Sequence, residues 1–343
     1  MILVVAGAGA SYDSILTRPV NPTRPDPHRL PLANDLFAPS PMYEEIQRLV
    51  PQVLQVATQL VARPPEQSVE DVLAGFSTDA NHNPRRHAQL AAVRFYLQAL
   101  IARLEDSWYR NAPVSTNMMA LLDQIENARR GRAHPLLVTF NYDRLIEHAL
   151  ENAGQRFNEL PHYVGSDRAS VIKLHGSVDW ARPVGRFNAY EYPSQVWELA
   201  VALADRAAEL PAPGPIERFH AVPPSLMGDR LAIPALSIPV REKDRFECPP
   251  EHVAFLEAAL PNVHAVVTIG WRAQEQHFLR LLASRLTNHV QVLCVGGSKE
   301  DAAATISALQ PHVARGHFEA FGAGFSEFIR HGRMARLLRI GWG

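Results

Sequence analysis

The chain has 343 residues, with 34 basic against 35 acidic side chains and 47% apolar residues, the balance of a globular protein with a sizeable core. This composition excludes collagen-like, coiled-coil and wholly disordered chains, and a formal charge of −1 gives no reason to expect a dedicated nucleic-acid binder. Two cysteines, Cys248 and Cys294, are too few for a disulfide scaffold or a four-thiolate zinc site.

Met1-Ile2-Leu3-Val4-Val5 lacks the charged start and long apolar stretch of a signal peptide. No uncharged apolar run nears the ~20 residues that span a bilayer, so a soluble, cytoplasmic protein is expected. Ile2–Val5 predicts a buried strand running into Gly7-Ala8-Gly9-Ala10-Ser11, the usual opening of a nucleotide-binding α/β unit. Prolines then cluster at Pro19–Pro31, and again at Pro211–Pro239, and each cluster predicts an irregular, extended segment. Met42–Ala62, Val69–Phe76 and Arg86–Leu104 carry apolar residues at helical spacing, which predicts an inserted, mostly helical module over residues 41–130.

Alternation resumes with a strand at Leu136–Thr139, a helix at Asp143–Glu151 and a strand at Ser170–Leu174. A Pro-rich insertion over 181–235 carries one helix, Ser194–Leu210. The remainder reads strand Val263–Ile269, helix Gln274–Leu286, strand Val290–Val295, helix Lys299–Leu309, strand His317–Phe321 and helix Phe325–Ile329. Strands alternating with helices predict an α/β, Rossmann-like doubly wound parallel sheet, one domain over 1–343. Ligands of such sheets sit beyond the carboxyl ends of the strands, and the loops there hold Gly7–Ser11, Phe140–Asp143, His175–Ser177, Gly270-Trp271, Gly296–Ser298 and Gly322–Gly324.

Each of these loops has two readings. Gly7-Ala8-Gly9-Ala10-Ser11 brings backbone N–H groups to a diphosphate, or is only a tight strand-to-helix turn. Tyr12 stands where the dehydrogenase fingerprint has a third glycine, and no ribose-binding acid follows at the end of a second strand, which disfavours a nicotinamide dehydrogenase. Asn141 and Asp143, in Thr139-Phe140-Asn141-Tyr142-Asp143, are candidate catalytic groups or simple helix caps. His175, in His175-Gly176-Ser177, is a candidate base near neutral pH or a structural turn histidine.

Taken together and in order, Gly-Ala-Gly-Ala-Ser, Thr-x-Asn-x-Asp and Lys-Leu-His-Gly-Ser resemble the sirtuin superfamily. The pattern is most similar to the sirtuin-like NAD hydrolases of bacterial anti-phage defence, whose middle motif usually reads Thr-Thr-Asn-Tyr-Asp, with Phe140 standing here for the second threonine. Leu30-Pro31-Leu32-Ala33-Asn34-Asp35-Leu36-Phe37 resembles the cofactor-loop segment of that branch. Ile269-Gly270-Trp271, with Glu275 and Phe278 after it, is similar to the family's Ile-Gly-Tyr-Ser-x-x-Asp, with Arg272 in place of the serine. The resemblance runs from Val4 to about Val295.

It implies NAD as substrate and no metal. Gly7, Ala8, Gly9, Ala10 and Ser11 would hold the diphosphate. Thr139, Phe140, Asn141 and Asp143 would face the nicotinamide and its ribose, and Asn141, Asp143 and His175 would be catalytic, His175 as base. Gly270, Trp271, Gly296, Gly297 and Ser298 would line the adenosine side. Lysine-deacylating sirtuins carry a zinc ribbon with two cysteine pairs, and this chain holds residues 181–235 in its place, so water rather than acyl-lysine is the expected acceptor. The products would be ADP-ribose and nicotinamide. An unregulated NAD hydrolase would harm its host, so the resemblance also implies a homo-oligomer, or an activating or inhibitory protein partner. The rivals are a non-catalytic sensor of NAD or ADP-ribose, and a zinc-independent deacylase or ADP-ribosyltransferase.

Other features have plainer explanations. Only Lys173, Lys243 and Lys299 are lysines, which reads as genome base composition. Arg330, Arg333, Arg336 and Arg339, with Met334, Leu337, Leu338 and Ile340 between them, could touch nucleic acid or a membrane, but a surface helix or a subunit contact is the favoured reading, and no direct nucleic-acid or membrane partner is expected. Asn81, His82 and His87 lack metal-ligand context, Cys248 has no identifiable histidine partner, and helix capping explains the acids of Glu66–Asp71.

Overall fold

The computed structural model describes residues 1–15, 20, 28–80, 82–111, 115–129, 131–219, 221–239, 246–334 and 337. Most of the first proline cluster, Asn81, and Arg336, Leu338, Arg339 and Ile340 lie outside the described residues.

The chain opens with strand β1 (Ile2–Ala6), buried at all five positions, and the short helix α1 (Ala8–Tyr12). The expected helix Met42–Ala62 is instead α2 (Pro41–Leu49), a 3-10 turn at Pro51–Val53 and α3 (Leu54–Val61). Pro51 breaks it, because its ring lacks an N–H and clashes with the preceding turn. The Ser68 side chain accepts from the Asp71 N–H while Asp71 reaches back to the Ser68 N–H, a capping box that starts α4 (Val69–Asp79). Helix α5 (Pro84–Asn111) begins on a proline, whose missing N–H costs nothing at a first helical position, and runs past the expected end at Leu104.

Helix α6 (Asn117–Arg129) was not marked by periodicity. Then come β2 (Leu136–Thr139), α7 (Leu145–Asn152), β3 (Ser170–Lys173), β4 (Gly176–Arg186) and α8 (Val196–Asp205). Where the second proline cluster predicted irregular chain, three strands form: β5 (Glu217–Arg218), β6 (Leu226–Met227) and β7 (Arg230–Leu236). Pro183 and Pro234 are accommodated because the β4–β7 ladder shifts register beside both of them. The chain ends with α9 (Pro250–Ala259), β8 (Ala265–Ile269), α10 (Gln276–Arg285), β9 (Val290–Val295), α11 (Lys299–Leu309), β10 (Gly316–Phe321) and α12 (Gly324–Arg330).

Two compact units result. The first comprises Met1–Leu30, Ser107–Leu174 and Cys248–Gly343. Its sheet has six parallel strands in the order β10-β9-β8-β1-β2-β3. Numbered within that sheet, the order is 3-2-1-4-5-6 read from the other edge, the Rossmann-like arrangement expected from the sequence, with helices between successive strands. The strand order reverses between β1 and β8, and that is where such sheets open a crevice. β1, β2 and β8 are buried throughout, as strands covered on both faces must be.

The second unit comprises Pro31–Asp106 and His175–Glu247. Helices α2 to α4, most of α5 and α8 accompany an antiparallel sheet in the order β5-β4-β7-β6. Within it the Tyr96 hydroxyl donates to the Leu36 carbonyl at 2.8 Å, and the fully buried Gln98 amide donates to the Val178 carbonyl at 2.8 Å. Among the described residues no helix is long and apolar enough to cross a membrane.

Candidate functional site

The residues at the carboxyl end of β1 are tied into two loops that follow other strands. The Gly7 N–H donates to the Ile269 carbonyl at 3.0 Å and the Gly9 N–H to the Gly270 carbonyl at 3.1 Å. These glycines are needed for the approach itself. A Cβ on Gly7 would lie 2.6 Å from the Gly270 oxygen, and one on Gly9 would lie 2.7 Å from the Gly270 Cα. Gly270 has a φ of +56°, in the left-handed region that glycine enters without penalty. The turn therefore packs backbone against backbone at the point where the strand order reverses.

The Thr139-x-Asn141-x-Asp143 loop joins the same turn through side chains. The Thr139 hydroxyl donates to the Ala6 carbonyl at 3.1 Å and accepts the Asn141 N–H at 3.0 Å. The Asn141 amide nitrogen donates to the Gly7 carbonyl at 2.9 Å and to the Ser11 Oγ at 2.8 Å. Ser11 in turn donates to Asp143 Oδ2 at 2.7 Å, while Asp143 Oδ1 accepts the Leu145 N–H at 3.1 Å. Arg144, not Asp143, is the N-cap of α7; Asp143 stands one residue earlier, bonds the first N–H of the helix in an Asx turn, and anchors Ser11 as well. Both nitrogen-bound donors of Asn141 are fixed from the β1 side, so its amide cannot rotate freely. A small cavity, with room for about one water (≈ 10 Å³), is bordered by Ala6, Ala10, Ser11, Ser14, Trp108 and Asn141 among others.

Phe140 and Trp271 meet behind this loop. Their rings stack at 5.4 Å with 9° between planes, and Phe278 meets both edge-on at 5.4 and 5.6 Å. A threonine at position 140 could not fill that contact, which accounts for phenylalanine there. The Trp271 indole N–H donates to Glu275 Oε2 at 2.6 Å, so the polar edge of this buried ring is also satisfied.

Gly296, Gly297 and Ser298 follow β9, the strand next to β8, and their bonds run elsewhere. The Gly296 N–H donates to the Phe321 carbonyl and its own carbonyl accepts the Gly324 N–H, each at 2.9 Å. The Ser298 side chain accepts the Asp301 N–H at 3.1 Å in the capping box that starts α11. Gly297 faces little, with Asp301 Oδ2 the nearest atom at 3.6 Å from a Cβ built there.

His175 opens the second unit and is held there by its backbone. Its carbonyl accepts the Ser237 N–H at 3.0 Å and it forms an isolated parallel bridge with Glu247. Gly176 follows at φ +84°, where any Cβ would strike the Ala235 oxygen at 1.8 Å. Ser177 donates to Asp179 Oδ1 at 2.6 Å, and Arg218 Nε donates to Asp179 Oδ2 at 2.7 Å. The His-Gly-Ser motif therefore starts β4 with its backbone clamped to β7 and its hydroxyl used inside the unit.

Sequence reasoning quoted Lys173 within a motif without giving it a role and missed Glu147 and Tyr163; all three are fully buried side chains bonded to one another and to the Asn141 loop. A charged residue ending the buried strand Ser170–Lys173 was the available signal. Among the described residues no three His, Cys, Asp or Glu side chains gather to hold a metal. Burial raises the Cys294 thiol to about 11, which makes it a poor nucleophile.

Residues 135–208 match the family model of a SIR2-like domain. No curated protein matches the chain. Among solved structures the chain is similar to a SIR2 homolog–NAD complex at 16% identity, over 97% of this chain and 90% of that one, with a TM-score of 0.40. It is also similar to a Sir2–p53 peptide–NAD+ complex at 12% identity, over 97% and 92%, with a TM-score of 0.42. Sir2Tm bound to a propionylated peptide gives 12% identity over 97% and 92%, with a TM-score of 0.43.

Proposed function

We propose that this chain binds NAD and cleaves it with water to ADP-ribose, nicotinamide and a proton, as an NAD-depleting effector of bacterial anti-phage defence. The observation that carries the reading is the Ser11–Asn141–Asp143 hydrogen-bonded set, which joins the loops after β1 and β2 beside the strand-order reversal. A Rossmann-like sheet takes its ligand there, and the SIR2-like match over residues 135–208 includes both the Asn141 loop and His175.

The chemistry asks little more than these groups offer. Breaking the nicotinamide–ribose bond builds positive charge on the sugar and expels a neutral leaving group, while water forms the new C–O bond and loses its proton. In this reading Asn141 orients the ribose or the attacking water, Asp143 holds Ser11 and the loop, and His175 takes the proton directly or through a ribose hydroxyl. The turn Gly7–Ser11 faces the diphosphate, and Gly270, Trp271 and Gly296–Ser298 border the adenosine. A general base contributes about 10²–10⁴-fold. Water is the acceptor because the chain lacks the cysteine pairs of a zinc ribbon, and a second copy or a partner protein controls access.

The test is nicotinamide release from NAD by the purified protein with no acceptor, beside His175→Ala and Asn141→Ala. Release that disappears in both variants supports the assignment. Wild-type release in both sinks it.

A further inference from the structure

Thirty-one of the 34 basic residues are arginine, so a lysine in this chain is an exception. Among the described residues Lys173 is the lysine that is fully buried, at the last position of β3. Its ammonium donates to the backbone carbonyl of Asp143 and, at 2.9 Å, to Glu147 Oε1. Glu147, in the first turn of α7, is also fully buried and accepts the Tyr163 hydroxyl at 3.2 Å.

Stability does not explain such a pair. Removing two charges from water costs several kcal/mol per ion, and apolar residues of similar volume often serve as well or better. Geometry explains it. An ammonium is a compact charge whose three donors fan out from one atom, whereas a guanidinium is a planar fork suited to carboxylates. Lys173 uses that shape to bridge a carboxylate and a carbonyl that belong to the same loop-to-helix junction. Asp143 is consequently held on two sides: its carbonyl by Lys173, and its carboxylate by Ser11 and the Leu145 N–H. Ser11 also accepts from the Asn141 amide, so two hydrogen bonds join Asp143 to that amide and three join Lys173 to it.

We propose that Lys173 is a positioning residue for the Asn141 loop, held in place by Glu147 and Tyr163. It touches no reacting atom and acts through Asp143; its catalytic consequence rests on the NAD-cleaving reading above. Lys173→Met alone leaves Glu147 without its cation and is expected to unfold the first unit. The informative variant is Lys173→Met/Glu147→Leu, which removes both charges at similar volume and keeps the fold.

Two readouts apply to that variant, hydrogen exchange and steady-state nicotinamide release from NAD. The Asn141 and Leu145 amides should exchange at least about tenfold faster than in the wild type, because a loop freed to open exposes its hydrogen bonds. kcat should fall about 10- to 100-fold with a smaller change in KM, the effect of displacing a positioned group by about an ångström. Unchanged exchange at those amides overturns the proposal, and so does faster exchange with unchanged kcat. If the wild type releases no nicotinamide, the NAD reading fails while the exchange data still decide whether Lys173 holds the loop.

Discussion

Gly270→Ala separates a glycine kept for packing from one kept for a ligand. A Cβ at this position would sit 2.4 Å from the Gly9 Cα, 2.5 Å from the Gly9 carbonyl carbon and 2.6 Å from the Ala10 nitrogen. All three are backbone atoms, so no side chain can rotate away. The φ of +56° adds roughly 1–2 kcal/mol for any residue with a Cβ. Forcing a methyl group into a filled space adds about 1–3 kcal/mol. The expected loss is therefore about 2–5 kcal/mol, and at roughly 2–4 °C per kcal/mol in a unit of this size the melting temperature should fall by about 5–20 °C. Gly297→Ala is the control: its nearest neighbour is Asp301 Oδ2 at 3.6 Å, and its stability should stay within about 0.5 kcal/mol of the wild type. Thermal and urea unfolding of both variants, without NAD, measures the difference. A Gly270→Ala protein that melts with the wild type would refute the packing argument, and weakened NAD binding at unchanged stability would return Gly270 to the ligand.

Three further outcomes are expected. Ser11→Ala removes the donor to Asp143 Oδ2 and the acceptor of the Asn141 amide, and should cost about 1–3 kcal/mol together with most NAD turnover; full turnover would take Ser11 out of the site. Arg218→Met strips the buried Asp179 carboxylate of its cation and should destabilise the second unit by about 3–5 kcal/mol, much of it recovered in Arg218→Met/Asp179→Asn; a double variant no better than the single would show that the pair is not coupled. Burial holds the His252 imidazole below its ordinary value, against the upward pull of the Leu160 carbonyl and Glu251. The folded state thus binds fewer protons than the unfolded state from about pH 6.5 downward, so stability falls on acidification until the lowered folded value is passed. The drop in melting temperature between about pH 7.5 and pH 5.5 should shrink in His252→Phe, and an equal drop would exclude His252 as its source.

Much of the first unit was legible because its signals are local. Ile2–Ala6, Leu136–Thr139 and Ala265–Ile269 are short apolar runs that only a doubly covered strand can bury, and the strand–helix alternation then dictates parallel pairing. Val290–Val295 and Lys299–Leu309 fall where the pattern put them, the helix started by its own Ser298 capping box. The loops at the strand ends were likewise identifiable from position alone. Less was legible in the second unit, where β5 and β6 are two residues each and too short to show any alternation.

What each loop residue does was decided by partners far away in the chain. Ser11 and Asp143 are separated by 132 positions, and their hydrogen bond exists only because β1 and β2 are neighbours in the sheet. Gly9 must be glycine because Gly270 lies against it, a fact carried by neither segment alone. Phe140 is aromatic because Trp271 and Phe278 supply an aromatic surface for it. Lys173 reads as an incidental base in an arginine-rich chain until the fold sets Glu147 and the Asp143 carbonyl around it. Periodicity and caps act over a few residues and so survive in the sequence, whereas hydrogen bonds and close contacts between strand ends depend on strand order, which only the folded chain supplies.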